Sequence, residues 1–458
     1  MFQFKMRNLA ALALATIMTA TAVAAPKAAP APTTITINPR TLKTRLLESN
    51  IELAVQLNNV YKAKDSVDRA RRNLLPGINL GAAIDSTFSF SLASVTMLLP
   101  FLLPSKWLDL RENQHLLNAQ GEAYYIAQLN TYSSAYALYS TIQGDMELRA
   151  IIQYQYENYK RIEDMIRMAV NAGMREKAEL LQAEAQTQLS KIQVSQMDVL
   201  ILQEKAAIRD MLALPLSTDI KIEAFHIGSS PAEEQSMQTT IDQSLAKSPE
   251  LRQLASMLKA TEAAKWSAFW SFLTGATLGA SRGPTGAFSD AEGAGSANFN
   301  FGNFLILKIG NRELDAIRLQ KKQIDQDQIK IVETTVGSLR ESQMQLNLAR
   351  QAEANLEALY ENEVKKFKMG MTDLLHVLNA GNSLTAAYTN RVKAQTSLDT
   401  LRVGLHRMMI SDHFGLIKKC QVYKKGTGGL TGKLGRIFNP KKDSISLDEA
   451  CGQQVSEN

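Results

Sequence analysis

Two long stretches of this 458-residue chain contain no proline, and they constrain the fold more than any other feature. One lies between Pro104 and Pro215, and the other lies between Pro284 and Pro440. Because proline in a helix interior removes a hydrogen bond and clashes with the preceding turn, tracts of this length predict very long helices. A helix of about 65 residues would extend roughly 100 Å, which is about three times the thickness of a bilayer core.

A glycine within each stretch marks a point where the helix reverses. Gly173-Met174 and Gly370-Met371 each separate a charged helical segment from one with apolar residues at helical spacing. Glycine is the usual residue beyond a helix C terminus, because it adopts a positive φ at little cost. Each stretch therefore predicts two antiparallel helices that meet at a tip, at about residues 171–176 and 368–373.

The two hairpins belong to an internal repeat. The tip glycines are offset by 197 residues (173 to 370), and SNIEL ending at Leu53 aligns with SPEL ending at Leu251 at an offset of 198. LLPGINLGA at 74–82 matches FLTGATLGA at 272–280 without a gap. This period is too long for a solenoid repeat. It predicts two copies of one helix–strands–helix–helix unit, over residues 41–225 and 236–410. The first helix of each copy is expected to be continuous, from 41 to about 73 and from 236 to about 270. Between the copies, Ile220, Ile222 and Phe225 are expected to form a short edge strand.

Segments with alternating side chains lie inside each copy, at about residues 77–100 and 275–309. The clearest, at 298–309, places apolar side chains on one face of a strand: Phe299, Phe301, Leu305, Leu307 and Ile309. This alternation is typical of membrane strands. Four strands cannot close a barrel, and lipid does not tolerate an open sheet edge, so a membrane location would require several copies of the chain. The alternative is a soluble hairpin packed on the helices.

The N-terminal 40 residues have two parts. Residues 1–25 combine Lys5 and Arg7 with an apolar run and a small-residue end, which predicts a signal peptide. The alternative is a membrane anchor, but the apolar run is too short to cross about 30 Å. Residues 26–40 are rich in alanine, proline and threonine and predict an extended, mobile linker.

Residues 411–458 are predicted to form a basic tail. Positions 416–442 hold eight Lys or Arg and no Asp or Glu. This segment is either a solvated tail or a contact for an anionic surface such as lipid head groups or peptidoglycan. The two cysteines of the chain, Cys420 and Cys451, lie here and could pair in an oxidising compartment or remain free.

No pattern in the sequence predicts a catalytic residue, a metal site or a cofactor. The histidines lack the spacing of metal ligands. Residues 428–433 (GGLTGK) have some features of a phosphate-binding loop, but Thr427 and Leu434 stand where that motif needs glycine and Ser/Thr. The formal net charge of +6 is nearly balanced in a chain of this length, which argues against a nucleic-acid partner.

Taken together, these motifs resemble the TolC-like outer-membrane efflux proteins, or outer-membrane factors. The resemblance covers roughly residues 41–410. It rests on NIEL at 50–53, RRNLLPGINLG at 71–81, Lys106-Trp107 and GMTDLLHVLNAGNSL at 370–384, with the duplication at matching positions. It implies a mainly α fold with a small β part. Three copies would combine four membrane strands each into a 12-strand barrel and continue as an α-helical tunnel in the periplasm.

The same resemblance implies a function and a set of partners. The chain would be a passive exit duct in the outer membrane, for efflux or for type I secretion. It would work as a homotrimer with a periplasmic adaptor and an inner-membrane pump of the RND, ABC or MFS type. Gly173, Met174, Gly370 and Met371 would form the tips where the adaptor docks. Two other classes stay open, namely a structural or adhesive trimer and a periplasmic coiled-coil adaptor.

The resemblance also points to a pore constriction with an altered charge. The family's well-known member closes its tunnel with acidic residues six and nine positions after the second tip glycine. Those positions are His376 and Asn379 here, and Asp373 is the only carboxylate just inside this tip. We therefore expect a constriction whose charge changes with His376 between about pH 5 and 8. The alternative is a histidine packed between helices.

Overall fold

The structure is a computed structural model that describes residues 34–75, 103–270 and 303–419. These residues are mostly helical. The elements in chain order are β1 (Thr34–Ile37), α1 (Pro39–Ser49), α2 (Ile51–Arg72), α3 (Pro104–Asn171), α4 (Lys177–Met211), β2 (Asp219–Ile222), α5 (Met237–Lys247), α6 (Pro249–Trp270), α7 (Asn303–Lys368) and α8 (Leu374–Met409). Over the described ranges, none of the helices has the length and apolar character needed to cross a membrane.

The long helices agree with the prediction from the proline-free stretches. α3 has 68 residues and α7 has 66, so each extends roughly 100 Å at 1.5 Å per residue. The returning helices α4 and α8 have 35 and 36 residues. Each long helix and its returning partner form an antiparallel hairpin, as predicted.

Helix α3 lies at the centre of this arrangement. It packs against α2, α4, α6 and α8, while α7 packs mainly against α8 and α6. The four longest helices therefore follow one another in the order α4, α3, α8, α7. This order leaves α4 and α7 at the two lateral edges of the layer.

A break divides the helical segments 39–72 and 237–270, in each of which the sequence predicts one continuous helix. Asn50 is extended, and its side chain accepts a hydrogen bond from the Leu53 amide at 3.0 Å. At the equivalent position, Ser248 accepts from the Leu251 amide at 3.3 Å. Asparagine and serine are strong N-cap residues, so each starts a new helix. The SNIEL and SPEL motifs, from which the sequence predicts a repeat, are therefore helix start signals.

A small parallel sheet and a group of aromatic residues form the core around the middle of α3. β1 pairs with β2 in the register Ile35 to Ile220, which confirms the short strand predicted near Ile220. The predicted linker at 26–40 therefore ends earlier than expected, because residues 34–37 form a strand and α1 begins at Pro39. Beneath the sheet, Tyr132 contacts Phe414 with a ring-centroid distance of 4.9 Å.

One predicted strand is wrong in its second half. Leu305, Leu307 and Ile309 lie in α7, which begins at Asn303. A short apolar run cannot be assigned to strand or helix by periodicity alone, and here the helical continuation prevails. The other predicted strands at 77–100 and 275–302, the signal peptide, and Cys420 and Cys451 lie outside the described residues.

His413 occupies the core that joins the end of α8 to α3. Its ring lies 6.5 Å from the rings of Tyr136 and Phe225, measured between centroids. Within the described part of the chain, its buried Nδ1 has no hydrogen-bond partner. Burial lowers the pKa of His413, and the carboxylate of Asp412 opposes this shift. The nearby cationic side chains lower the pKa further (Lys43, Arg40 and His406).

We predict that this site makes the protein less stable in acid. The pKa of His413 is lower in the folded chain than in the unfolded chain, so the unfolded chain binds a proton first. Above the unfolded-state pKa of about 6.5, His413 does not change the free energy of unfolding. Below it, the free energy of unfolding falls as the pH drops through the lower pKa of the folded state. Thermal unfolding of His413→Gln should therefore show a weaker loss of stability between pH 7 and 5. An identical pH profile in both proteins would contradict this.

Candidate functional site at the hairpin tips

The first tip is closed by a backbone motif that requires glycine. Gly173 has a φ of 73°. Its amide donates to the Val170 carbonyl at 3.0 Å, and the Met174 amide donates to the Ala169 carbonyl at 2.8 Å. These two bonds define a Schellman motif, which satisfies the last carbonyls of α3 and reverses the chain.

The second tip repeats the same geometry. Gly370 has a φ of 74°. Its amide donates to the Phe367 carbonyl at 3.0 Å, and the Met371 amide donates to the Lys366 carbonyl at 2.9 Å. All four predicted tip residues thus occupy equivalent positions in two turns of the same kind.

The returning helices also begin alike. Glu176 is the N-cap of α4 and Asp373 is the N-cap of α8, each three residues after its glycine. Neither side chain makes a capping hydrogen bond. A carboxylate at a helix N terminus is nevertheless favourable, because it opposes the positive end of the helix dipole.

Contacts between the hairpins bring the two tips together. The guanidinium of Arg175 lies 4.7 Å from the ring centroid of Phe367, and it pairs with Glu179 at 2.9 Å. Beneath this bridge, buried apolar side chains from both hairpins form one cluster: Ile162, Ile166, Phe367, Leu374, Val377 and Leu378. The tips are therefore parts of a single surface.

This surface combines exposed methionines with charged side chains. The side chains of Met174 and Met371 are 78% and 71% exposed, and Met168 and Met369 are each 65% exposed. We call these four residues the tip methionines. Lysines fill the last turn of α7: Lys365, Lys366 and Lys368. Thioethers and cations of this kind suit binding rather than proton transfer.

One carboxylate near the second tip is held in its ionised form. The Lys366 ammonium lies 2.7 Å from Glu363, and this hydrogen bond lowers the pKa of Glu363. Burial opposes this shift. Electrostatic interactions with Lys366 and His376 lower the pKa of Glu363 further, and so does a hydrogen bond with the Thr372 side chain. Glu363 therefore offsets part of the positive charge at the end of α7.

Comparison with known proteins identifies the fold. No family model matches this chain, and no curated protein matches it. Among solved structures, the Campylobacter jejuni CmeC outer-membrane channel is 12% identical, with a TM-score of 0.66 over 88% of this chain and 89% of that one. The outer-membrane channel OprN is 16% identical, with a TM-score of 0.63 over 81% of this chain and 89% of that one. This chain has the TolC-like outer-membrane-factor fold.

A third structure with the outer-membrane-factor fold agrees. The Vibrio cholerae outer-membrane protein VceC is 12% identical, with a TM-score of 0.62 over 81% of this chain and 95% of that one. At these identities the similarity establishes the fold, and function has to be argued from the chain's own residues.

The three predicted constriction residues share one face of α8 within this fold. Asp373, His376 and Asn379 are spaced by three positions and are all exposed. The opposite face carries buried residues, including Leu374 and Val377. His376 is therefore not packed between helices of its own chain, which was the alternative considered from the sequence.

Two features of the tips were missed by the sequence analysis. Arg175 and Phe367 lie in different hairpins, 192 positions apart in the sequence, and no local signal indicates that they touch. The exposure of Met168 and Met369 was missed as well, although both lie within five residues of a tip glycine. In the described ranges, no group of three or more His, Cys, Asp or Glu residues could hold a metal ion.

We predict that the second tip depends on glycine. Gly370→Ala should destabilise the hairpin by about 1–2 kcal/mol, because a residue with a Cβ is strained at positive φ. The matched control is Gly337→Ala in the interior of α7, where an added Cβ would have no atom within 4 Å. The control should stabilise by about 0.5–1 kcal/mol, because alanine favours helix more than glycine does. Hydrogen exchange of the Met371 amide and the thermal midpoint measure both effects, and an unchanged tip in Gly370→Ala would oppose the prediction.

Proposed function

We propose that this chain is the passive outer-membrane exit duct of a tripartite efflux or type I secretion system. It would act as a homotrimer together with a periplasmic adaptor and an inner-membrane pump. The observation that carries this proposal is a pair of exposed apolar stripes along the edge helices α4 and α7, in a helical layer with the outer-membrane-factor fold.

The stripe on α4 is exposed although its residues are large and apolar. The face that packs on α3 carries mostly small side chains: Ala183, Thr187, Ser190 and Val194. The opposite face exposes large apolar ones, with more than half of each side chain in solvent: Leu181, Leu189, Ile192, Val199 and Leu202. Exposed apolar patches of this extent mark an interaction site.

The stripe on α7 has the same character. The face toward the rest of the chain is buried through Leu314, Val332, Val336, Leu339 and Leu346. The opposite face exposes another row of large apolar side chains: Leu319, Met344, Leu348 and Leu359. Their spacing keeps them on one side of a helix with 3.6 residues per turn.

The position of these stripes supports a ring of identical chains. They lie on opposite edges of the helical layer, so α4 of one copy can cover α7 of the next. Such head-to-tail contacts produce a closed ring when the rotation between copies closes. Three copies would then contribute twelve long helices to one hollow wall, as the family resemblance implies, with the predicted membrane strands at one end.

The tips would then carry two roles at the periplasmic end. The exposed surface around Gly173, Met174, Gly370 and Met371 would receive the adaptor. Asp373, His376 and Asn379, on the exposed face of α8, would line the narrowest part of the duct. This constriction would gate the duct. A bilayer conductance that ignored both pH 5 to 8 and His376→Ala would rule out this gating role.

We predict that charge on the α4 stripe prevents assembly. Ile192→Asp with Val199→Asp should convert a detergent-extracted trimer into monomers, because each carboxylate would be buried without a partner at the contact. Gln193→Asp is the matched control, since Gln193 is exposed and lies about 100° around the helix from Ile192. Crosslinking and mass by light scattering distinguish the two outcomes. Trimers formed by the double variant would refute the contact.

Export itself is tested in a strain that lacks the gene. Sensitivity of that strain to dyes or detergents, with the protein extracted as an outer-membrane trimer, would support small-molecule efflux. A trimer without sensitisation would favour protein secretion or a structural role. A soluble periplasmic monomer would refute the membrane duct.

A further inference from the structure

The tip methionines are the most exposed methionines in the described part of the chain. Their exposed fractions range from 65% to 78%, whereas Met344 and Met146 reach 52% and 37%. Met409, by contrast, is 4% exposed in the core beside α5 and α7. Exposure of this kind is concentrated within five residues of Gly173 and Gly370.

The fold of the tips does not require these thioethers to face solvent. In a Schellman motif, the residue after the glycine commonly packs against the side chain five positions earlier. Those partners are Ala169 for Met174 and Lys366 for Met371, and neither offers a large apolar surface. Both methionine side chains therefore remain in solvent, and their loss would remove little packing from the hairpin.

The four thioethers belong to one surface rather than to two separate loops. Arg175 directly follows Met174, and its guanidinium stacks on Phe367, which lies two residues before Met369. The two tips that carry these methionines are thus joined by a contact between the hairpins.

We propose that the tip methionines are a site of reversible oxidation by peroxide. The sulfur lone pair attacks one oxygen of hydrogen peroxide, an S–O bond forms and the O–O bond breaks. The thioether is oxidised by two electrons to the sulfoxide, and the peroxide is reduced to water after proton transfer between its oxygens. A methionine sulfoxide reductase reverses the change.

Oxidation would change the chemistry of this surface without unfolding the tips. A sulfoxide converts a flexible apolar side chain into a polar one. The turns themselves are held by backbone hydrogen bonds from Gly173, Met174, Gly370 and Met371, which do not involve the sulfur atoms. Oxidation of a buried residue such as Met409 would instead disrupt the core.

The consequence for transport rests on the proposed function. If an adaptor packs its apolar side chains on the tip methionines, four sulfoxides would weaken that contact. Export would then fall under peroxide stress and recover after reduction. The same residues would couple the duct to the oxidising state of its compartment.

The experiment maps oxidation on the purified full-length protein in detergent. Graded hydrogen peroxide is followed by proteolysis and mass spectrometry of each methionine. The tip methionines should convert on the order of tenfold faster than Met409, because susceptibility follows exposure, and the thermal midpoint should not change at the dose that oxidises them. Equal rates at the tips and at Met409, or unfolding at that dose, would overturn the proposal.

A variant with leucine at all four positions separates this inference from the proposed function. Leucine keeps an apolar side chain of similar volume but cannot form a sulfoxide. Export after a peroxide pulse is expressed as a fraction of export by the same strain before the pulse, so that any basal effect of the variant cancels. This fraction should fall in cells with the native chain and stay near one in cells with the leucine variant. Selective oxidation in the map without any loss of export would leave the modification standing and count against docking at the tips. Loss of export in both strains, without selective oxidation, would refute the modification.

Discussion

The packing of α3 against four other helices is the interaction on which the rest of the structure depends. This one helix of 68 residues contacts α2, α4, α6 and α8 along its length. Its tyrosines at positions 132, 136 and 139 form the middle of the core with β1, β2 and Phe414. Because α6 and α8 from the second half of the chain also pack on α3, neither hairpin has an independent position. Because α3 is one unbroken helix, it connects this core directly to the first tip.

This arrangement leaves two apolar edges exposed on a single chain. A single layer of long helices has two lateral edges, and here both edges carry large apolar side chains that no described part of the chain covers. Apart from Ile208, the buried residues of α4 are small or medium-sized, whereas its exposed face carries leucine and isoleucine, which is the reverse of an ordinary surface helix. Under the proposed function, assembly with further copies would bury these stripes and form the tunnel.

The sequence predicted those parts of the fold that depend on local backbone chemistry. Absence of proline predicted the long helices, and glycine at 173 and 370 predicted the reversals, because each residue type restricts the backbone wherever it occurs. Prediction failed where two local structures were equally compatible with the pattern. The run from Leu305 to Ile309 reads as a strand or as a helix, and it continues α7. Asn50 and Ser248 are N-caps, but their motifs were read as the interior of longer helices.

The candidate site shows the same division. The sequence by itself determined that two equivalent glycine turns, each followed by methionine and three residues later by a carboxylate, end the two hairpins. Only the tertiary structure decided that these turns share one surface, that Arg175 bridges to Phe367, and that His376 is exposed rather than packed. The physical reason is how far apart in the sequence the interacting residues lie. Turn geometry is set by a few consecutive residues, whereas exposure and contact depend on which helix lies alongside, almost 200 residues away in the chain.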